Sequence, residues 1–176
     1  SMTAYITLDG SESYVKFNKD AVFVDDEKAK FGTGLDLEIY HDGSNSYINQ
    51  RNTGDLIIQA SSDDKDIILK SDDGSGGVTA YLTLDGSAAV TTIHKNLIFD
   101  DSVNAVFGPG YDLNIRHTGT ISQIQNDNGD LYINQRADDK DIIFQCDDGS
   151  GGVTTYFRLD GSTGYVRFED NIRIAV

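Results

Sequence analysis

Two stretches of this chain are copies of one another, and a fixed period dictates architecture before any local feature does. The motif Y-x-x-L-D-G-S opens at Tyr5, Tyr81 and Tyr156, at spacings of 76 and 75 residues. Phe31-Gly32 recurs as Phe107-Gly108, His41 as His117, and Gly54-Asp55-Leu56 as Gly129-Asp130-Leu131 after a one-residue deletion. From Asp63 to Tyr81 and from Asp138 to Tyr156, 15 of 19 residues are identical, so the copies have diverged little. The sequence divides into one repeat at 4–79, a second at 80–154 and the opening of a third at 155–176. Residues 1–3 read as a tag remnant and start, because Ser1-Met2 has the form of a tag-removal scar. Ending inside a repeat, the chain is expected to be a piece of a longer array.

Within a repeat, strand signals arrive every eight to twelve residues, as judged by the usual strand and turn spacing, each followed by a Gly, Asp, Asn or Ser cluster. The clearest strands of the first copy are Tyr14–Phe17, Leu35–Tyr40, Asp55–Gln59, Asp66–Lys70 and Val78–Thr83, with counterparts in the second. Leu35, Leu37 and Ile39 alternate with Asp36 and Glu38; Tyr111, Leu113 and Ile115 alternate with Asp112 and Asn114. That period of two predicts a strand with its apolar side buried. Of the 29 acidic residues 25 are Asp, and 18 Gly stand beside one Pro, a balance that favours turns over helices. The expected fold is all-β: roughly 18 short strands in tandem ~75-residue repeats, forming an elongated β-solenoid or triangular β-prism. A tandem sandwich fits less well, since its modules run nearer to ~100 residues.

The charge balance narrows the partners. Lys and Arg number 14 against 29 acids, a net charge of −15, which argues against a nucleic-acid partner. No run approaches the ~18 apolar residues of a membrane-spanning helix, and a lone Cys146 cannot form an internal disulfide.

Three segments carry a resemblance: D-L-E-I-Y-H-D-G-S-N-S-Y-I at 36–48, G-D-L-I-I at 54–58 and D-D-G-S-G-G-V-T-A-Y-L-T-L-D-G-S at 72–87. From Ala4 to Val176 the chain resembles repeat regions of tail fibres and related virion structural proteins of tailed bacteriophages, marine ones especially. The resemblance implies an intertwined homotrimeric β-fibre, a shaft or receptor-binding rod used in host attachment, located in the virion and extracellular after release. A thin array of short strands has its own motive to trimerise, because alone it has a poor core-to-surface ratio and open sheet edges. Threefold packing would make a shared core of Leu37, Ile39, Leu56, Ile58, Ile67 and Leu69, with Leu113, Ile115, Leu131, Ile133, Ile142 and Phe144 from the second copy. Three chains would carry −45, which favours solubility at the cost of self-repulsion.

Candidate sites are few. Alternation puts His41 and His117 on the apolar side of their strands, where three copies around an axis could hold a structural transition-metal ion. Metal-binding fibres of the resembling class present His-x-His, whereas the positions two away here are Ile39 and Gly43, or Ile115 and Gly119, so the default is a hydrogen-bonded histidine. Asp72-Asp73-Gly74, Asp147-Asp148-Gly149, Asp63–Asp66 and Asp138–Asp141 could offer oxygen ligands to Ca²⁺, but lack the spacing of a known loop; solvated turns are the alternative. Gly74–Gly77 lacks the Lys-Ser/Thr of a phosphate loop. Cys146 stands where the first copy has Ser71, which suits a packing residue better than a nucleophile. Tyr40, Tyr47, Tyr132 and Tyr165 could stack on sugars of a bacterial surface or serve as strand residues. These features predict a non-enzymatic structural segment without a cofactor. The alternatives are a carbohydrate-binding or polysaccharide-degrading tailspike domain and a secreted calcium-stabilised adhesin repeat.

Overall fold

Each short apolar run that lies between Asp- and Gly-rich turns can close its backbone hydrogen bonds only against a neighbouring run, so the chain folds as successive antiparallel meanders. A computed structural model describes residues 6–11 and 14–169; Tyr5, residues 1–3 and the last residues of the third repeat lie outside them. Fourteen strands and no helix form among the described residues. The chain divides into two units, Ser1–Asn96 and Leu97–Val176.

The first unit holds three sheets. A two-stranded ribbon pairs β1 (Ile6–Asp9) with β2 (Tyr14–Phe17), and β3 (Ala29–Phe31), β4 (Leu37–His41) and β5 (Ser46–Gln50) form a meander. A second meander joins β6 (Ile67–Asp72), β7 (Val78–Asp85) and β8 (Val90–Ile93). The second unit repeats the two meanders as β9 (Ala105–Phe107), β10 (Leu113–His117) and β11 (Ser122–Asn126), then β12 (Ile142–Asp147), β13 (Val153–Asp160) and β14 (Tyr165–Phe168). The register recurs with the sequence: Ile39 opposes Ala29 and Ile48, as Ile115 opposes Ala105 and Ile124. One hairpin occurs three times, with Ile6↔Phe17, Leu82↔Ile93 and Phe157↔Phe168 at its open end. The repeat boundaries at 79/80 and 154/155 fall inside β7 and β13, since the phase from which a period is counted is free.

Asp carboxylates close the turns. Asp73 Oδ1 accepts hydrogen bonds from the Ser75 and Gly77 amides at 2.7 and 3.1 Å, and Asp148 Oδ1 from those of Ser150 and Gly152 at 2.7 and 3.0 Å. This is the Asx chemistry that suits Asp to turns. The register shifts by one residue between Leu69 and Lys70, and again between Phe144 and Gln145, leaving Tyr81 and Tyr156 as the extra residues of two β-bulges. Their hydroxyls donate to the Asp72 and Asp147 carbonyls at 2.9 and 3.1 Å, fastening the bulges to the far ends of their hairpins.

The structure corrects three expectations. The strand expected from Leu35 starts at Leu37, because Leu35 (φ 54°) and Tyr111 (φ 59°) take the left-handed conformation inside the preceding turn. Asp55–Gln59 and its counterpart at 130–134 are not strands: their backbones make no backbone hydrogen bond among the described residues, so the apolar pattern is present but a pairing partner is not. The apolar side of β4 and β10, expected to be buried, is open within the chain. Only Glu38, Asn114 and Asp160 are buried among the described residues, and no apolar side chain is.

Candidate interaction surface

Within each unit no described strand of one sheet pairs with a strand of another and no described apolar side chain is buried, so the sheets lack a covering second layer from their own unit. One face is closed by its own long polar side chains. On β4, Glu38 is 3% exposed beneath Lys28, whose Nζ donates at 3.0 Å, and Arg51, whose Nη1 donates at 3.2 Å to the same oxygen. Hydrogen bonds from Lys28 first, then Arg51, hold the Glu38 carboxyl below its ordinary pKa. Lys28 also lies 4.4 Å from the ring centre of Tyr40, and Tyr40 stacks on Tyr47 at 4.8 Å. In the second unit the equivalent positions carry Asn104, Asn114 and Asp127 in place of the ionic trio. Arg116 Nε donates to Gln123 Oε1 at 2.9 Å where the tyrosines stood.

The reverse face is apolar and bare. Phe31, Ile39 and Ile48 on the first unit, and Phe107, Ile115 and Ile124 on the second, are all exposed. Beside the latter group Phe99, Ala105, Ile115, Ile124, His117 and Ser122 line an open hollow of about 630 Å³. The β6–β8 meander bares Leu69, Leu84 and Ile93, and β12–β14 bares Phe144, Leu159, Val166 and Phe168. Of the residues expected to form a shared core, Leu37, Ile67, Leu113 and Ile142 are half-buried in the single chain. Ile39, Leu56, Ile58, Leu69, Ile115, Leu131, Ile133 and Phe144 are exposed, Ile58 at 62% and Ile133 at 63%.

His41 and His117 are exposed on the apolar face. Nδ1 of each ring hydrogen-bonds a cross-strand serine, Ser46 Oγ at 3.1 Å and Ser122 Oγ at 3.0 Å, which leaves Nε2 free of that contact. Among the described residues no three His, Cys, Asp or Glu side chains converge to hold a metal ion. Asp72-Asp73 and Asp147-Asp148, considered for Ca²⁺, direct carboxylate oxygens at the backbone amides of their own turns, whereas Asp66 and Asp141 accept from the distant Gly86 and Gly161 amides. Cys146, expected to be a packing residue, is exposed, because its sheet has no covering layer. Tyr132 and Tyr165 are also exposed.

Sequence reasoning missed two features. One is the Lys28–Glu38–Arg51 trio, whose signal was a rare Glu on the polar side of a strand. The other is a charged cluster on β13 and β14, where Asp160 Oδ2 lies 2.8 Å from Arg167 Nε and 3.9 Å from Arg158 Nη2. Arg158 Nη1 donates to Asp141 Oδ2 at 3.2 Å; its Nε is 3.0 Å from Glu169 Oε1, an ion pair by distance without hydrogen-bond alignment. The first copy has Thr83 and His94 at the Arg158 and Glu169 positions, joined by a 2.9 Å hydrogen bond.

Asp160 has the strongest electrostatic signature. The Ser162 hydroxyl donates to Oδ1 at 2.7 Å, the Thr163 amide adds a bond at 2.9 Å, and Arg167 contributes its charge; together they outweigh desolvation and hold the pKa at about 2. A carboxyl whose folded pKa lies below its unfolded value stabilises the fold at pH above the unfolded pKa, and that contribution is lost as pH falls through the folded one. The Asp160 contribution is therefore expected to be complete above pH ~4 and to fade towards pH ~2. Thermal melts from pH 5 to pH 2 should show a shallower acid loss in Asp160→Asn than in the parent. The difference between the two isolates this group from the opposing relief of charge repulsion on acidification.

Comparison with protein-family models, with curated proteins and with solved structures finds no match to this chain.

Proposed function

We propose that this chain is a structural, non-enzymatic segment of a homotrimeric fibre, a shaft or spacer of a virion appendage such as the tail fibre of a tailed bacteriophage, serving host attachment outside the cell. The observation that carries the reading is that no apolar side chain is buried among the described residues. A monomeric protein of 19.2 kDa exposes about 8,400 Å² by the usual size scaling, whereas this chain exposes 14889 Å². The excess of about 6,500 Å² is larger than most obligate interfaces, which bury roughly 2,000–5,000 Å². A chain this open gains too little from burial to offset its ordering entropy alone. Other copies of itself, wound as a β-prism or solenoid, would supply the missing layer and cover the sheet edges.

The reading assigns the work to mechanics: paired strands and a shared apolar interior convert repeat number into length and stiffness. Three copies of His41, or of His117, brought to one axis would offer their Nε2 atoms to a transition metal. Light scattering tests the proposal. The expected molar mass is three times 19.2 kDa; a stable, cooperatively folding species of 19.2 kDa would overturn it.

A further inference from the structure

The two copies agree on one face of their sheets and differ on the other. On the apolar face of β3–β4–β5, Phe31, Leu37, Ile39, His41, Ser46 and Ile48 recur as Phe107, Leu113, Ile115, His117, Ser122 and Ile124. With Ala29 retained as Ala105 and Gln50 replaced by Asn126, seven of that face's eight positions are identical. On the reverse face Lys30, Glu38, Tyr40, Tyr47 and Asn49 correspond to Val106, Asn114, Arg116, Gln123 and Gln125, and none of the five is kept.

Substitutions are tolerated where a side chain is solvated or can be re-matched by a neighbour in the same chain, and the polar face shows both. The apolar face gains little from its own chain: Phe31 and Phe107 are 50% and 53% exposed, and Ile48 and Ile124 are 60% and 62% exposed. Within the described residues the His41–Ser46 and His117–Ser122 hydrogen bonds account for those pairs, but no contact accounts for the exposed Phe31, Ile39 and Ile48 being kept through the duplication while the opposite face changed throughout. The constraint comes from outside, and it is the same for both units.

We propose that the apolar face of β3–β5 and of β9–β11 is the surface on which other copies of this chain sit, with the polar face turned to solvent. The proposal rests on the homomeric reading above, with its expected shared core of Leu37, Ile39, Leu113 and Ile115, and extends the interior side to Phe31, His41, Ser46, Ile48 and their counterparts while leaving the other face outside. A second copy of this chain is the occupant because it brings the same face twice at the same spacing. An unrelated partner would need a matching duplication of its own. The excess surface of the whole chain, of which these faces are part, is also on the scale of an obligate assembly rather than of a transient contact.

Hydroxyl-radical footprinting of the intact protein, read residue by residue with light scattering on the same sample, tests it. The expected result is a mass that is a multiple of 19.2 kDa, with Phe31, Phe107, Ile48 and Ile124 labelled at least several-fold more slowly than their single-chain exposure implies and Tyr47 labelled freely. A multimer in which Phe31 and Phe107 label as readily as Tyr47 overturns the face assignment and leaves the homomeric reading in place. A freely labelled 19.2 kDa species overturns both. Paired variants give a second readout. Ile39→Asp with Ile115→Asp should weaken association at least tenfold, whereas Lys30→Glu with Val106→Glu, on the other face, should leave the mass unchanged. Retention of the multimer by the first pair would overturn the proposal.

Discussion

If the protein is the homotrimer proposed above, Phe157→Asp is expected to convert it into single chains that no longer melt cooperatively. Phe157 is the middle of an aromatic row across three strands, stacked on Phe144 at 4.3 Å and 10° and tilted against Phe168 at 5.8 Å and 30°. Phe144 is 40% and Phe168 55% exposed, so much of the row has no contact within its own chain. Losing a core phenylalanine costs about 3–5 kcal/mol, so in the proposed homotrimer, where the row would be interior, three copies place the total on the order of 10 kcal/mol, before the penalty for burying the new charge. Light scattering and thermal melts read the effect. The first copy supplies the control, because the same row there is Leu69, Leu82 and Ile93. Phe144→Leu, Phe157→Leu and Phe168→Ile together should leave the molar mass and the cooperativity of melting as in the parent, since an aliphatic row is already accepted at that place in the repeat.

Gly161→Ala and Gly86→Ala are expected to destabilise the protein by about 2–4 kcal/mol each, whereas Gly10→Ala should fall within about 0.5 kcal/mol of the parent. All three glycines stand in the same L-D-G-S motif. A Cβ on Gly86 would overlap the Lys65 carbonyl oxygen, and one on Gly161 the Lys140 carbonyl oxygen. Both obstacles are backbone and cannot swing aside. The approach is held by hydrogen bonds from the Gly86 amide to Asp66 Oδ1 at 3.0 Å and from the Gly161 amide to Asp141 Oδ1 at 2.9 Å. A Cβ on Gly10 would meet nothing within 4 Å. Thermal or chemical denaturation of the three variants orders them.

The strands at Tyr14–Phe17, β6 and β7 were legible because a period of two bounded by turn residues is written locally. Leu35 was misread as a strand residue because its left-handed φ depends on the hydrogen bond from its amide to the Gly32 carbonyl, which an apolar residue type does not announce. Asp55–Gln59 was misread because a strand needs a partner as well as a pattern. The histidines were correctly placed beside Ile39 and Ile115, but alternation says only that two residues share a face. It does not say whether that face meets protein or solvent.

The amino-acid sequence by itself determined the period, the all-β character and the turn chemistry, since these follow from residue types and their separation along the chain. The tertiary structure alone decided that Glu38 is covered while Ile39 is bare, that two of three identical glycines press against a carbonyl, and that Leu56–Ile58 finds no strand to pair with among the described residues. Those outcomes depend on what stands opposite each residue in space. On the apolar face, Phe31, Ile39, Ile48 and their counterparts in the second unit stay exposed.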